Sequence, residues 1–213
     1  MKRRWSRRAV LRGGAAVGAF TALPPAVLAQ AERAAPYANL SPGEAATVEA
    51  VVARLIPSDA NGPGALEAGA ARYIDGALGQ PLAVHRSAYA AGLAALDAHA
   101  RATAGAAFAA LAPERQDAVL ADVEQDRAPG FTPSSSAFFD LVLGHTLEGT
   151  FGDPHYGGNR DFVGWELIGY PGLRLAVTEE QQRMNATLEP VLSSAYDHAQ
   201  FEAHDTAGER DGD

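Results

Sequence analysis

Between residues 41 and 150 the apolar positions recur mostly at helical spacing. Val48, Val51, Val52, Leu55 and Ile56 fall at i, i+3, i+4, i+7 and i+8, which is one face of an amphipathic helix. Ser41-Pro42-Gly43-Glu44 stands in front of them as a capping box, with Ser at the N-cap, Pro at the first helical position and Glu at the third. Pro57 ends this helix, and Ser58 to Gly64 is rich in turn residues. A second helix is predicted over Ala65–Leu78, with Leu66, Ala70, Tyr73, Ile74 and Ala77 on one face and Gly79 as its stop. A third runs from Leu82 to about Thr103, lined by His85, Tyr89, Leu93, Leu96 and Ala100, and Gly105 ends it. Pro113-Glu114 opens a fourth, with Val119, Leu120 and Val123 inward. Thr132-Pro133 starts a fifth, capped by Thr132, with Phe138, Leu141, Val142, His145 and Leu147 toward the core.

The periodicity then stops. Phe151 to Gly172, FGDPHYGGNRDFVGWELIGYPG, holds six glycines, two prolines and five aromatics: Phe151, Tyr156, Phe162, Trp165 and Tyr170. Glycine at this density implies repeated turns. Aromatics at this density argue against disorder, and a long ordered loop in a compact domain is usually functional. Two readings apply. In one, the loop caps the core, with Trp165 buried and Arg160 paired with Asp153 or Asp161. In the other, part of it faces a partner protein, where Trp, Tyr and Arg are favoured. Both hold if one side packs inward and the other outward. Asp161 is expected to cap a short helix, Phe162 to Ile168.

Beyond the loop, Thr178 to Gln181 repeats the capping-box pattern and predicts a helix to about Leu188. Pro190 interrupts it, Val191 to Phe201 continues it, and His204 to Asp213 forms a polar end. No long alternating run predicts a strand. The fold class expected is all-α: an irregular bundle of about five to seven helices with one long Gly/aromatic-rich loop.

Charge divides the chain. Six of its 17 Lys and Arg residues lie in the first 29 positions, where there is no acid; the other 11 face 26 acidic residues, a net of −15. That balance disfavours nucleic acid and anionic lipid as partners. The basic start reads as an export signal over residues 1–29. Ser6-Arg7-Arg8-Ala9-Val10-Leu11 fits the twin-arginine pattern through Arg7 and Arg8, with Val10 where Phe is commonest. Gly13 to Leu28 is too short and too Gly/Ala-rich for a membrane span, and cleavage is expected after Ala29 or Ala31. An ordinary secretory signal and a retained anchor are the alternatives. The remainder divides into a polar linker (30–40), a helical domain (41–172), and a helical extension with a polar tail (173–213).

Candidate chemistry is sparse. With no cysteine, no disulfide, thiolate zinc site, iron–sulfur cluster or covalent haem motif can form on this chain. The histidines are His85, His99, His145, His155, His198 and His204. His145 and Glu148 share a helix face at a spacing compatible with two metal ligands, but no HExxH or second Glu-x-x-His accompanies them. No nucleophile elbow, P-loop or dinucleotide fingerprint is present.

The loop sequence, with HTLEGT (His145 to Thr150), LIPSDANGPGALEAGAARYID (Leu55 to Asp75) and AGLAALD (Ala91 to Asp97), resembles the gluconate 2-dehydrogenase subunit 3 family, from about Thr47 to Gly172. The resemblance implies a small subunit without catalytic, cofactor-binding or metal-binding residues of its own. Its implied partner is a large periplasmic flavoprotein of the glucose–methanol–choline type, which holds FAD and oxidises a sugar or polyol. A cytochrome c subunit carrying haem would take the electrons. The small subunit would serve maturation of the large one and its passage through the twin-arginine export machinery to the periplasm. Phe151, Asp153, Tyr156, Asn159, Arg160, Asp161, Trp165 and Tyr170 are then the candidate loop anchors or partner contacts. The competing expectation is a free-standing periplasmic binding protein, or an enzyme using the His145/Glu148 region.

Overall fold

A computed structural model describes residues 36–198. The expected leader with Arg7 and Arg8, the expected cleavage positions and residues 199–213 lie outside that range. Among the described residues seven α-helices are formed: α1 (Pro42–Leu55), α2 (Ala65–Ala68), α3 (Ala70–Leu78), α4 (Arg86–Ala104), α5 (Pro113–Glu124), α6 (Ser135–Phe151) and α7 (Val163–Leu167). Among the described residues there is no β-strand, only isolated bridges at Asp59–Gly62 and Gly172–Val191. The expected all-α bundle is therefore the one observed. No helix of the described residues is long and apolar enough to cross a membrane.

α1 forms as its sequence dictates. The Ser41 hydroxyl accepts from the Glu44 amide, and the Glu44 carboxylate accepts from the Ser41 amide at 2.9 Å. Val48, Val51 and Val52 are buried against Ile74, Tyr89, Leu96, Phe108 and Val123 in one core. The polar linker ends earlier than expected, because Tyr37 to Leu40 is part of the domain. The buried Asp75 carboxylate of α3 accepts from the amides of Ala38, Asn39 and Leu40, each at 2.8 Å, and Leu40 joins the core. A buried carboxylate is costly unless it is hydrogen-bonded, and these three donors satisfy it.

The single helix expected over Ala65–Leu78 is two helices. Gly69 sits between them at φ +83°, a left-handed conformation that glycine adopts without a Cβ clash. After the break α2 lies against α1, α6 and α7, while α3 packs mainly on α6. As a result Leu66 is turned to the surface rather than inward. α3 and α6 touch closely because residue 149 is glycine: a Cβ there would lie 2.9 Å from Ala70 Cα and 2.8 Å from the Tyr73 ring.

α4 follows a 3-10 turn, Ala83–His85, and buries Tyr89, Leu93, Leu96 and Ala100 as predicted. α5 buries Val119, Leu120 and Val123. α6 is capped by Ser134, whose hydroxyl accepts from the Ala137 amide at 3.1 Å, and not by Thr132. Its start is fixed by Asp126, which accepts from the Ser135 amide at 2.9 Å. Phe138, Val142 and His145 point inward, whereas Leu147 is 42% exposed. Two residues past His145, it lies about 200° round the helix.

The C-terminal helices expected within 173–198 do not form. The Thr178–Gln181 box makes both of its hydrogen bonds, yet only a 3-10 turn, Glu180–Gln182, follows. Leu175, Val177 and Met184 stay exposed, so no apolar stripe is buried. A short helix without tertiary packing is marginal in water.

Candidate functional site

The glycine- and aromatic-rich loop is built on the last turns of α6. Thr146 and Thr150 are fully buried, and each hydroxyl donates to the carbonyl four residues back at 2.7 Å. After Gly152 the chain makes a 3-10 turn, Pro154–Tyr156, opened by Asp153, whose carboxylate accepts from the His155 amide at 2.9 Å. A second 3-10 turn, Arg160–Phe162, leads into α7.

Asn159 holds these pieces together. It is fully buried, at φ +41°. Its amide donates to the Gly149 carbonyl at 2.7 Å. Its side-chain Nδ2 donates to the Gly152 carbonyl, and its Oδ1 accepts from the Gly164 amide, both at 2.8 Å. Asn159 therefore supplies the bond to the start of α7 that was expected from Asp161. Asp161 is exposed, has φ +55° and caps nothing in α7. Phe162 follows at φ +60°. Non-glycine residues in this region are strained, and they persist where the surroundings over-determine them. Here the Asn159 bonds and Trp165 do so.

Trp165 is the inward anchor. It is 6% exposed, and its indole Nε1 donates to the Phe151 carbonyl at 2.9 Å. Its ring meets Tyr170 edge-on, with centroids 4.9 Å apart, and Phe162 at 5.2 Å. The opposite side of the loop is open: Tyr156 and Ile168 are each 58% exposed, and Tyr170 is partly so. The loop thus has a packed face and an aromatic outer face.

Arg160 does not pair with Asp153 or Asp161 among the described residues. Its guanidinium instead lies against Gly69, with Nη2 3.3 Å from where a Cβ would stand. Asp153 is taken by other donors: Ser194 Oγ at 2.6 Å and the Ala195 amide at 2.9 Å, besides His155. Burial alone would raise the Asp153 pKa, but these hydrogen bonds outweigh it and hold the carboxyl below the usual range. The Tyr156 and Tyr196 hydroxyls share a 2.6 Å hydrogen bond, and the Tyr196 ring stacks on His155 at 3.7 Å. Ser194 and Tyr196 were not among the residues singled out from sequence. The one local signal was Ser194-x-x-Asp197, a capping pattern that the structure forms.

His145 and Glu148 have separate partners. His145 Nδ1 lies 3.0 Å from the Tyr89 hydroxyl in the core. Burial lowers its pKa, the Glu148 charge opposes that, and His85 adds to it. Glu148 accepts from the Tyr73 hydroxyl at 2.8 Å near the surface, and burial together with Glu148 pushes the Tyr73 phenol up to about 12. Among the described residues no three His, Cys, Asp or Glu side chains gather closely enough to hold a metal ion.

The helices and the loop define a class: an irregular all-α domain closed by one ordered, two-faced aromatic loop. Comparison with known families matches residues 42–172, well over half of the chain, to gluconate 2-dehydrogenase subunit 3. The chain belongs to that family, which is named for one subunit of a multi-subunit oxidoreductase. No curated protein and no solved structure matches it.

Proposed function

We propose that this chain is the small accessory subunit of a membrane-associated, FAD-dependent sugar or polyol dehydrogenase of the glucose–methanol–choline type. It supports folding, maturation and export of the catalytic flavoprotein and contributes no cofactor. FAD, and any haem, belong to partner chains, and substrate choice belongs to the flavoprotein. The observation that carries this reading is the two-faced loop within the family match. Trp165 and Asn159 fix its inner side, and Tyr156, Ile168 and Tyr170 stand outward on that rigid base. Exposed aromatics on a preorganised support are what a protein partner binds with least ordering cost.

Twin-arginine export carries folded cargo. That suits a flavoprotein loaded with FAD before it leaves the cytoplasm, and one leader then serves two chains that associate first. The test is co-expression with the large flavoprotein, with Arg7 and Arg8 intact or both changed to Lys, read as periplasmic flavin and dye-linked dehydrogenase activity. Intact arginines should place both chains and the flavin in the periplasm, and the double Lys change should strand both in the cytoplasm. A large chain that reaches the periplasm regardless, or never associates, overturns the proposal.

A further inference from the structure

Residues 173–198 lie beyond the family match, yet they return to the signature loop. The segment leaves at Gly172 and comes back at Val191, whose amide donates to the Pro171 carbonyl at 3.0 Å. The Arg174 guanidinium donates to the Glu189 carbonyl and ties the two limbs of the excursion together. After the return, Ser194 to Asp197 lands on the outer side of the loop. Ser194 Oγ and the Ala195 amide donate to the two Asp153 oxygens. Tyr196 lies on the His155 ring and bonds to the Tyr156 hydroxyl.

The character of these contacts matters. The hydrophobic core draws no residue from 173–198. Leu175, Val177, Met184 and Leu192 are exposed. The segment is attached at the Gly172–Val191 bridge and at the Asp153 clasp, by hydrogen bonds and by contacts of the Tyr196 ring with His155 and Tyr156. Segments held this way, with few buried apolar contacts, open at far lower free energy than the helices beneath them. What opening uncovers is Asp153, His155 and Tyr156, part of the loop's outer face.

We propose that residues 173–198 are a self-docked strap, in which Ser194–Asp197 occupies the Asp153–Tyr156 face in the free subunit and is lifted when the flavoprotein partner takes that face. The identity of the partner rests on the accessory-subunit reading; the clasp does not. The strap therefore competes with the partner. In the free subunit Tyr196 covers one side of the His155 and Tyr156 rings, Ser194 and Ala195 satisfy Asp153, and the rest of the outer face stays open. The apparent association rate is the intrinsic rate reduced by the fraction of molecules with the strap open.

The test uses the full chain and two variants that leave the helical core untouched, Ser194→Ala and Tyr196→Ala. Amide exchange in the free subunit should rise at 153–158 and 191–198 by roughly tenfold in either variant, the effect of losing one good contact, with α1, α4 and α5 unchanged. Association with the large flavoprotein should become several-fold faster. In the wild-type complex, amides of 191–198 should exchange faster than in the free subunit while those of 153–158 become protected. Unchanged exchange in both variants overturns the clasp. Slower association, or a strap that gains protection in the complex, overturns displacement and makes the strap part of the interface. If no chain binds the flavoprotein at all, the accessory-subunit reading fails, and the exchange in free subunit still decides the clasp.

Discussion

Replacing Asn159 by Ala should unsettle the loop about as much as truncating its buried indole anchor, Trp165. Three effects add. The Gly164 amide is buried and loses its acceptor, a penalty of about 1–3 kcal/mol. The Gly152 carbonyl is half-buried and loses its donor; water can reach it, so about 0.5–1 kcal/mol is expected. Alanine must also take up φ +41° without the local hydrogen bonds that let asparagine do so, which costs about 1–2 kcal/mol. The total is roughly 2.5–6 kcal/mol, large against a typical domain stability of about 5–15 kcal/mol. Asn159→Gly separates the terms: it loses the same two side-chain bonds but is free of the backbone cost, so it should be milder than Ala by about 1–2 kcal/mol. Urea unfolding followed by far-UV circular dichroism gives the global figure, and amide exchange at Gly164 reads the same loss locally. A penalty for Ala under about 1 kcal/mol, or a Gly variant less stable than the Ala variant, would refute the reasoning.

Trp165→Ala should cost about 3–5 kcal/mol as a large buried truncation, while Trp165→Phe, which mainly gives up the bond to the Phe151 carbonyl, should cost about 1 kcal/mol; urea unfolding of each variant checks both, and pull-down by the proposed flavoprotein partner reads any loss of association. The Asp153 carboxyl has its folded pKa held down, so its contribution is complete above an unfolded pKa of about 4 and is lost as pH falls through the folded value. The urea midpoint of the wild type should accordingly fall more steeply below about pH 4 than that of Asp153→Asn, and parallel slopes would sink this. His145 is pushed below its ordinary pKa by burial, so stability is complete above about pH 6.5 and declines as the pH drops toward the folded value. Its ring should titrate below about 6.5 by NMR, and a midpoint above that contradicts the satisfied, neutral Tyr89–His145 pair.

Where sequence reading succeeded, a local rule and a buried face agreed. α1 has its capping box and also a valine stripe that is buried; α4 and α5 likewise keep the faces their spacing predicts. It failed where the deciding atom is distant. Gly69 inside a helical pattern is only a modest penalty, and the Arg160 guanidinium that lies against it comes from far along the chain. The ordered Tyr37–Leu40 segment depends on Asp75, which no local composition reveals. The Thr178 box shows the reverse case, a correct local signal with nothing to bury behind it. Within the loop, order and the burial of Trp165 followed from aromatic content. The pivotal role of Asn159 did not, because a left-handed asparagine that bridges α6 and α7 looks like any turn residue until both helix ends are placed. Ser194 and Tyr196 lay outside the recognisable motif altogether.

The setting of Trp165 gives the protein its own optical reporter. Only one other tryptophan exists, Trp5, near the start of the chain. With Trp5 changed to Phe, all indole emission would come from the signature loop. A ring this enclosed, with one hydrogen bond and two aromatic neighbours, should emit at short wavelength and shift red if the loop loosens. Excitation through the tyrosines should feed the same ring by energy transfer, most strongly from Tyr170. Changes in the loop during assembly can then be timed in solution, without any attached dye.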